Sequence, residues 1–107
     1  MAPIAHVKNV AEFTALITGN AKVVVDYHAA WCGPCRNIAP KVAELAGSHA
    51  DIVFAKVDVD EAEDVAQKQK ISAMPTFQFF HNGKQVAEFK GASADKLTEQ
   101  VNALKAL

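Results

Sequence analysis

Cysteine is scarce in this chain: 107 residues contain two, Cys32 and Cys35. Two thiols so close in sequence cannot staple distant parts of a fold, which excludes a disulfide-built scaffold. A zinc site needs four ligands, and no second cysteine pair exists. The four histidines, His6, His28, His49 and His81, are not at paired ligand spacing with one another, so the zinc reading of Cys-x-x-Cys lacks half its donors. An excess of one charge is missing as well: 11 basic residues face 12 acidic ones for a net charge of −1, with no basic cluster. Nucleic acid and anionic membrane surfaces are therefore poor partners, and recognition is expected to be largely uncharged. No apolar run could span a bilayer. The segment Met1 to Lys8 lacks the basic start and apolar core of a secretory signal, and Leu104 to Leu107 carries no ER-retention signal, so a soluble cytoplasmic protein is expected. Repeats, low-complexity tracts and linkers are absent too. With half its residues hydrophobic, the chain is expected to form one domain over 1–107 with one core.

What is present centres on Val23 to Cys35. The β-branched run Val23-Val24-Val25 favours a buried strand, Gly33 and Pro34 break it, and a helix-compatible segment follows from Cys35. Cys32 thus falls at a helix N-terminus, where unpaired N–H groups and the positive end of the helix dipole favour a thiolate. That makes Cys32 the expected nucleophile, exposed at the helix start. Cys35, on the same side one turn further in, is expected to be more buried and able to close a disulfide after Cys32 has formed a mixed disulfide with a substrate.

Along the chain, Ile4 to Val7 reads as an edge strand. Asn9 and Glu12 resemble a capping box opening a helix over Val10 to Thr18, which Gly19 and Asn20 end. After the cysteines, Ile38, Val42, Leu45 and Ala46 repeat at helical spacing through Pro40, which predicts a kink rather than a stop, with Gly47 at the end. Ile52 to Val57 reads as a second buried strand. Asp60 and Glu63 resemble another capping box for a short helix to Gln69. Thr76 to Phe80 and Gln85 to Phe89 flank Asn82-Gly83, a strong hairpin signal. Ser93 is a plausible N-cap for a last helix that carries Leu97, Val101 and Leu104. The order β-α-β-α-β-α-β-β-α predicts an α/β fold: a mixed sheet with helices on both faces.

Asp26 stands inside a run of valines, where a carboxylate is costly unless it has a task or a partner, and its pKa is expected to rise. Lys56 interrupts the next apolar strand and is a possible salt-bridge partner. Pro75 by itself reads as a strand-initiating proline. The acidic stretch Asp58 to Asp64 reads as a solvated, helix-capping face. His28 shares a strand face with Asp26, closer to the cysteines; a charged imidazole there would titrate together with the Cys32 thiol, while burial favours a neutral ring.

Trp31-Cys32-Gly33-Pro34-Cys35, with Asp26 before it and Pro40 and Met74-Pro75-Thr76 after it, resembles the thioredoxin family. The likeness extends over essentially the whole chain through Val57-Asp58-Val59-Asp60, Asn82-Gly83 and Gly91-Ala92. It implies a thioredoxin-like α/β fold with a central five-stranded mixed sheet flanked by four helices. It also implies protein-disulfide reduction by a Cys32–Cys35 pair with Gly33 and Pro34 between them, no bound cofactor, and Asp26 as a buried group in proton transfer at the inner cysteine. A cis Met74-Pro75 peptide is implied too, with the Met74 backbone pairing to an extended substrate. Trp31, Gly33, Pro34, Val59, Met74, Gly91 and Ala92 match the family's apolar rim. The implied partners are disulfide-containing client proteins and a thioredoxin reductase, commonly an NADPH-dependent flavoprotein or, in plastids, a ferredoxin-linked enzyme. His28 and Arg36 depart from the commoner residues at their positions.

Two rivals stand beside this reading. A disulfide isomerase or oxidase on the same fold typically carries His before the second cysteine, where this chain has Pro34, so reduction is favoured. A redox-idle docking subunit would keep its activity after both cysteines were replaced.

Overall fold

A computed structural model describes residues 4–107; the N-terminal Met1 to Pro3, part of the segment read above for a leader, lies outside the described residues. The elements follow the expected order: β1 (Ala5–His6), α1 (Val10–Gly19), β2 (Lys22–His28), α2 (Gly33–Ser48), β3 (Val53–Asp58), α3 (Glu63–Lys68), β4 (Thr76–His81), β5 (Lys84–Lys90) and α4 (Ala94–Lys105). The five strands form one sheet in the order β1-β3-β2-β4-β5. The β1–β3 and β2–β3 pairs are parallel, as helical crossovers require, and β2–β4 and β4–β5 are antiparallel.

Local chemistry sets the element ends. Asn9 Oδ1 accepts from the Glu12 amide at 2.9 Å, and Glu12 Oε1 reaches back to the Lys8 amide at 2.9 Å, so the box at α1 forms one residue wider than the simplest pattern. Ser93 caps α4 by accepting from the Lys96 amide at 3.2 Å. Asn82 and Gly83, at φ 53° and 83°, make the two-residue turn between β4 and β5 with both centres left-handed. The second box is not formed. Ala62 precedes α3 with no side-chain cap, and Asp58 instead accepts from the Asp60 amide at 2.9 Å. Asp60 is free to point elsewhere. Gly33 and Pro34 are also not outside α2 but its first residues, because a helix's first N–H groups need no intrahelical acceptor and proline fits there. Pro40 lies inside α2, and Val42, Leu45 and Ala46 beyond it stay buried in phase.

Alternation along the strands divides the core between two faces. On one, Val24, Phe54, Phe77 and Phe79 pack with Ile38 and Val42 of α2 and Leu97 and Val101 of α4. On the other, Val23, Val25, Tyr27, Ala55 and Val57 pack with Phe13 of α1 and Val65 of α3. Tyr27 is fully buried, and its hydroxyl donates to Gln78 Oε1 at 2.6 Å. Gln69 Nε2 donates to the same oxygen at 3.0 Å, and Gln78 Nε2 donates to Glu88 Oε1 at 2.8 Å, so this polar chain satisfies itself inside the sheet.

Candidate active site

Register places the charged residues of the first face in rows. His6, Lys56, Asp26, Phe77 and Phe89 are successive partners across β1, β3, β2, β4 and β5; two residues further along β2, His28 is opposite Asp58. The next residues of the chain turn over the end of the sheet: Ala29 is buried, the Cys32 amide donates to the Ala29 carbonyl at 3.1 Å, and α2 starts.

Cys32 is the N-cap of α2, and its Sγ accepts from the Cys35 amide at 3.2 Å. A sulfur in this place faces the orphan donors of a helix of 16 residues, an arrangement that favours negative charge on it. The two cysteines are joined by a disulfide with Cα atoms 5.3 Å apart. Here the structure corrects an expectation: Cys32 is 4% exposed and Cys35 6%, so Cys32 is not the more open of the two. The pair packs with Ala29 against Val59 and Met74. Another feature separates them. Cys35, with Asp26, His28, Lys56 and Arg36, lines a cavity of about 280 Å³ beneath α2, and Cys32 is not part of its lining.

Asp26 is 2% exposed and its Oδ1 has no hydrogen-bond partner. Burial pushes its carboxyl up from 3.8 to about 6, against the opposing pull of the Lys56 charge. The alternative reading, a salt bridge from Asp26 to Lys56, is not met: among the described residues the ion pair within 4.0 Å is Lys41–Glu44, on the surface of α2. Lys56 acts on Asp26 through space, across the cavity they share. His28 is half-buried with an unpartnered Nε2, and burial together with the Lys56 charge lowers its pKa, so the neutral imidazole is favoured over the charged one.

Around the disulfide, Trp31 is the largest open apolar side chain at 66% exposure, and its Nε1 donates to Asp60 Oδ2 at 3.0 Å. Pro34 is exposed and Gly33 half-buried in the same turn. The Met74-Pro75 peptide is cis; Pro75 is buried and its carbonyl accepts from the Gly91 amide at 2.9 Å. Gly91 has φ +101°, a conformation that suits glycine, and Ala92 beside it is exposed. Val59 is anchored by its amide to the His28 carbonyl at 2.9 Å. The sequence reading missed Asp60 as the residue that holds the Trp31 indole, because the acidic stretch looked like a run of caps. It also missed Arg36, whose Nη1 donates to the Ala30 carbonyl at 2.6 Å and closes the loop before the helix.

The thioredoxin family model matches residues 4–103. The chain belongs to the thioredoxin family. It is 46% identical to the thioredoxin of Gallus gallus over 103 residues, covering 94% of this chain and 98% of that one. It is 41% identical to thioredoxin-2 of Saccharomyces cerevisiae, covering 92% and 95%. Among solved structures, the Fasciola hepatica thioredoxin superposes with a TM-score of 0.92 at 45% identity, covering 94% of this chain and 99% of that one. The oxidised mitochondrial thioredoxin 3 of S. cerevisiae superposes with a TM-score of 0.91 at 37% identity, covering 94% and 95%.

Family and cysteine pair together give the activity: this thioredoxin-fold chain is a protein-disulfide reductase working by dithiol/disulfide exchange. The expected mixed five-stranded sheet with four helices is the one observed. The isomerase or oxidase reading and the idle docking reading gain no support. Its partners, in general terms, are a reductase and disulfide-bearing clients. No helix is long and apolar enough to cross a membrane, and no group of three or more His, Cys, Asp or Glu is placed to hold a metal among the described residues.

Proposed function

We propose that residues 1–107 act as one domain in the cytoplasm as a general reductase of protein disulfides, with Cys32 as attacking thiolate and Cys35 as resolving thiol. The observation that carries the assignment is the Cys32 sulfur at the N-cap of α2, 3.2 Å from the Cys35 amide, while Cys35 alone of the pair lines the Asp26 cavity. Cys32 S⁻ attacks one sulfur of the client disulfide; a Cys32–client bond forms, and the client's other sulfur leaves as a thiolate. Cys35 then gives its proton towards the Asp26 carboxylate and attacks Cys32 Sγ. The Cys32–Cys35 bond forms, the second client thiolate leaves, and two electrons have passed from the pair to the client.

Lys56 biases Asp26 through its charge. Trp31, Gly33, Pro34, Val59, Met74, Pro75, Gly91 and Ala92 form the client-binding rim, with the backbone of Met74 pairing to an extended client segment as an added strand. No resident cofactor takes part in this scheme; an NADPH-dependent flavoprotein reductase returns the two electrons.

Trapping tests the roles. Cys35→Ser is expected to hold clients as mixed disulfides at Cys32, and Cys32→Ser to trap none and reduce none. Capture by the Cys32→Ser chain would reverse the assignment. Reoxidation of NADPH in the presence of a flavoprotein reductase, set against a ferredoxin-linked enzyme, identifies the donor.

A further inference from the structure

Strand alternation puts Thr76, Gln78 and Phe80 of β4 on the face that α1 and α3 cover, and Phe77 and Phe79 on the other. Thr76 and Gln78 are each 1% exposed, and the scheme above uses neither. A polar side chain in such a place costs stability unless it is hydrogen-bonded, and both of these bond to the same stretch of chain. That stretch, residues 69–75, joins α3 to β4 without regular structure and carries Met74. Thr76 Oγ1 donates to the Ala73 carbonyl at 2.6 Å, next to Met74. Gln78 Oε1 accepts from Gln69 Nε2 at 3.0 Å, where the stretch leaves α3. Between the two ties Lys70 takes φ 57°, the Ile71 amide donates to the Ala66 carbonyl at 2.9 Å, and Ser72 and Ala73 are exposed.

Gln78 is itself fixed. The Tyr27 hydroxyl of β2 shares its Oε1 at 2.6 Å, and its Nε2 donates at 2.8 Å to Glu88, its register partner on β5. Turning the amide over would set its nitrogen against the Gln69 nitrogen and its oxygen against the Glu88 carboxylate, so one orientation is held. We propose that Thr76 and Gln78 are positioning residues for client capture: from the buried strand they suspend the segment 69–75 at its two ends, and so set where the Met74 backbone stands beside the cysteine pair. The inference rests on the reading above that an extended client pairs with that backbone. Strand pairing needs its donors and acceptors within a narrow range of distance and angle. A segment already held in place does not have to be ordered at each encounter, so a lost tie weakens capture and leaves the exchange at sulfur alone.

Reduction of insulin, with dithiothreitol as electron donor, reads KM and kcat; bis(2-hydroxyethyl) disulfide serves as a substrate with no backbone to pair. Thr76→Val keeps the branched shape and drops the hydroxyl. It is expected to raise KM for insulin roughly fivefold, the weight of one hydrogen bond, with kcat near the parent value. Its selectivity for insulin over the small disulfide falls by the same factor. Thr76→Ser returns the hydroxyl and is expected to return KM. Gln69→Ala cuts the other tie at a half-buried position, where folding is not at risk, and is expected to raise KM to a similar extent. Tyr27→Phe removes a bond to the same Gln78 oxygen from β2, and is expected to lower the unfolding midpoint without moving KM. Parent KM in Thr76→Val or in Gln69→Ala overturns the proposal, and so does a Thr76→Ser chain as weak as Thr76→Val. A Tyr27→Phe chain whose KM rises as far as that of Gln69→Ala overturns it too, because KM would then only follow stability.

Amide exchange separates this proposal from the reading it rests on. In the Cys35→Ser chain trapped at Cys32 by an oxidised cysteine peptide, exchange at the Met74 amide is expected to slow, and to speed up again when Thr76→Val or Gln69→Ala is added. No slowing in the trapped Cys35→Ser chain sinks the Met74 pairing and this inference together. Slowing that survives both substitutions in full overturns this inference alone.

Discussion

Asp26 and Lys56 stand opposite each other on adjacent parallel strands and line the same cavity, yet no ion pair joins them. The carboxylate is therefore buried with a distant positive charge for compensation, and desolvation outweighs attraction. A carboxylate buried in this way costs stability.

That cost has a sign and a pH window. The carboxyl has an ordinary value of 3.8 and is raised to about 6 in the fold, so between these limits the folded chain keeps a proton that the unfolded chain has lost. This group's contribution to stability is then fully present below pH 3.8 and is lost as pH rises through about 6. At roughly 1.4 kcal/mol per pH unit the loss is about 3 kcal/mol at neutral pH. Asp26→Asn is expected to gain about 2–3 kcal/mol in denaturant melts near neutral pH, to lose that advantage near pH 4, and to turn over clients more slowly. Equal melts at neutral pH would place the charge in a better-solvated site than its burial implies.

Gly91 carries the second prediction. A Cβ placed there meets nothing within 4 Å, so an alanine is opposed by the backbone at φ +101° and not by a neighbour. Gly91→Ala is expected to cost about 1–3 kcal/mol in thermal or denaturant unfolding. Because the Gly91 amide holds the Pro75 carbonyl, KM for a protein client is expected to rise more than kcat falls. An unchanged KM would remove this link from the client-binding rim.

The third concerns Trp31 and Asp60. The indole is exposed and held by one hydrogen bond, so Trp31→Ala is expected to change stability by about 1 kcal/mol or less while raising KM for protein clients severalfold. Asp60→Asn keeps an acceptor oxygen and is expected to behave like the parent. Asp60→Ala releases the indole and is expected to raise KM by less than Trp31→Ala does. Steady-state reduction of a model protein disulfide by the three variants decides the order.

Elements written in local chemistry were legible: Asn82-Gly83 for its hairpin, Asn9 and Ser93 for their helix starts, the valine run for the central strand, and Cys32 for the helix N-cap. Pairs that depend on tertiary placement were not. Asp60 had the spacing of a cap but is taken by Trp31 from a different loop, leaving Asp58 to order the turn. Lys56 had the sign of a partner for Asp26, yet side chains rooted on neighbouring strands do not have to meet at their ends. The near-equal burial of the two cysteines, 4% and 6% exposed, is set by how the pair packs on Ala29, Val59 and Met74, which spacing cannot convey. Gln78, inside the run Thr76 to Phe80, was a visible polar exception in an apolar strand; its partners Tyr27, Gln69 and Glu88 come from three other places in the chain.

The sheet leaves two open borders. One is β1, only two residues long, and the other is β5, whose solvent-facing residues include Lys84, Gln85, Glu88 and Lys90. A flat, greasy border would template pairing with a neighbouring molecule; shortness on one side and charge on the other discourage it. With both borders guarded in this way, the pairing of extended clients proposed for the Met74 backbone would have no counterpart between copies of the chain in a crowded solution.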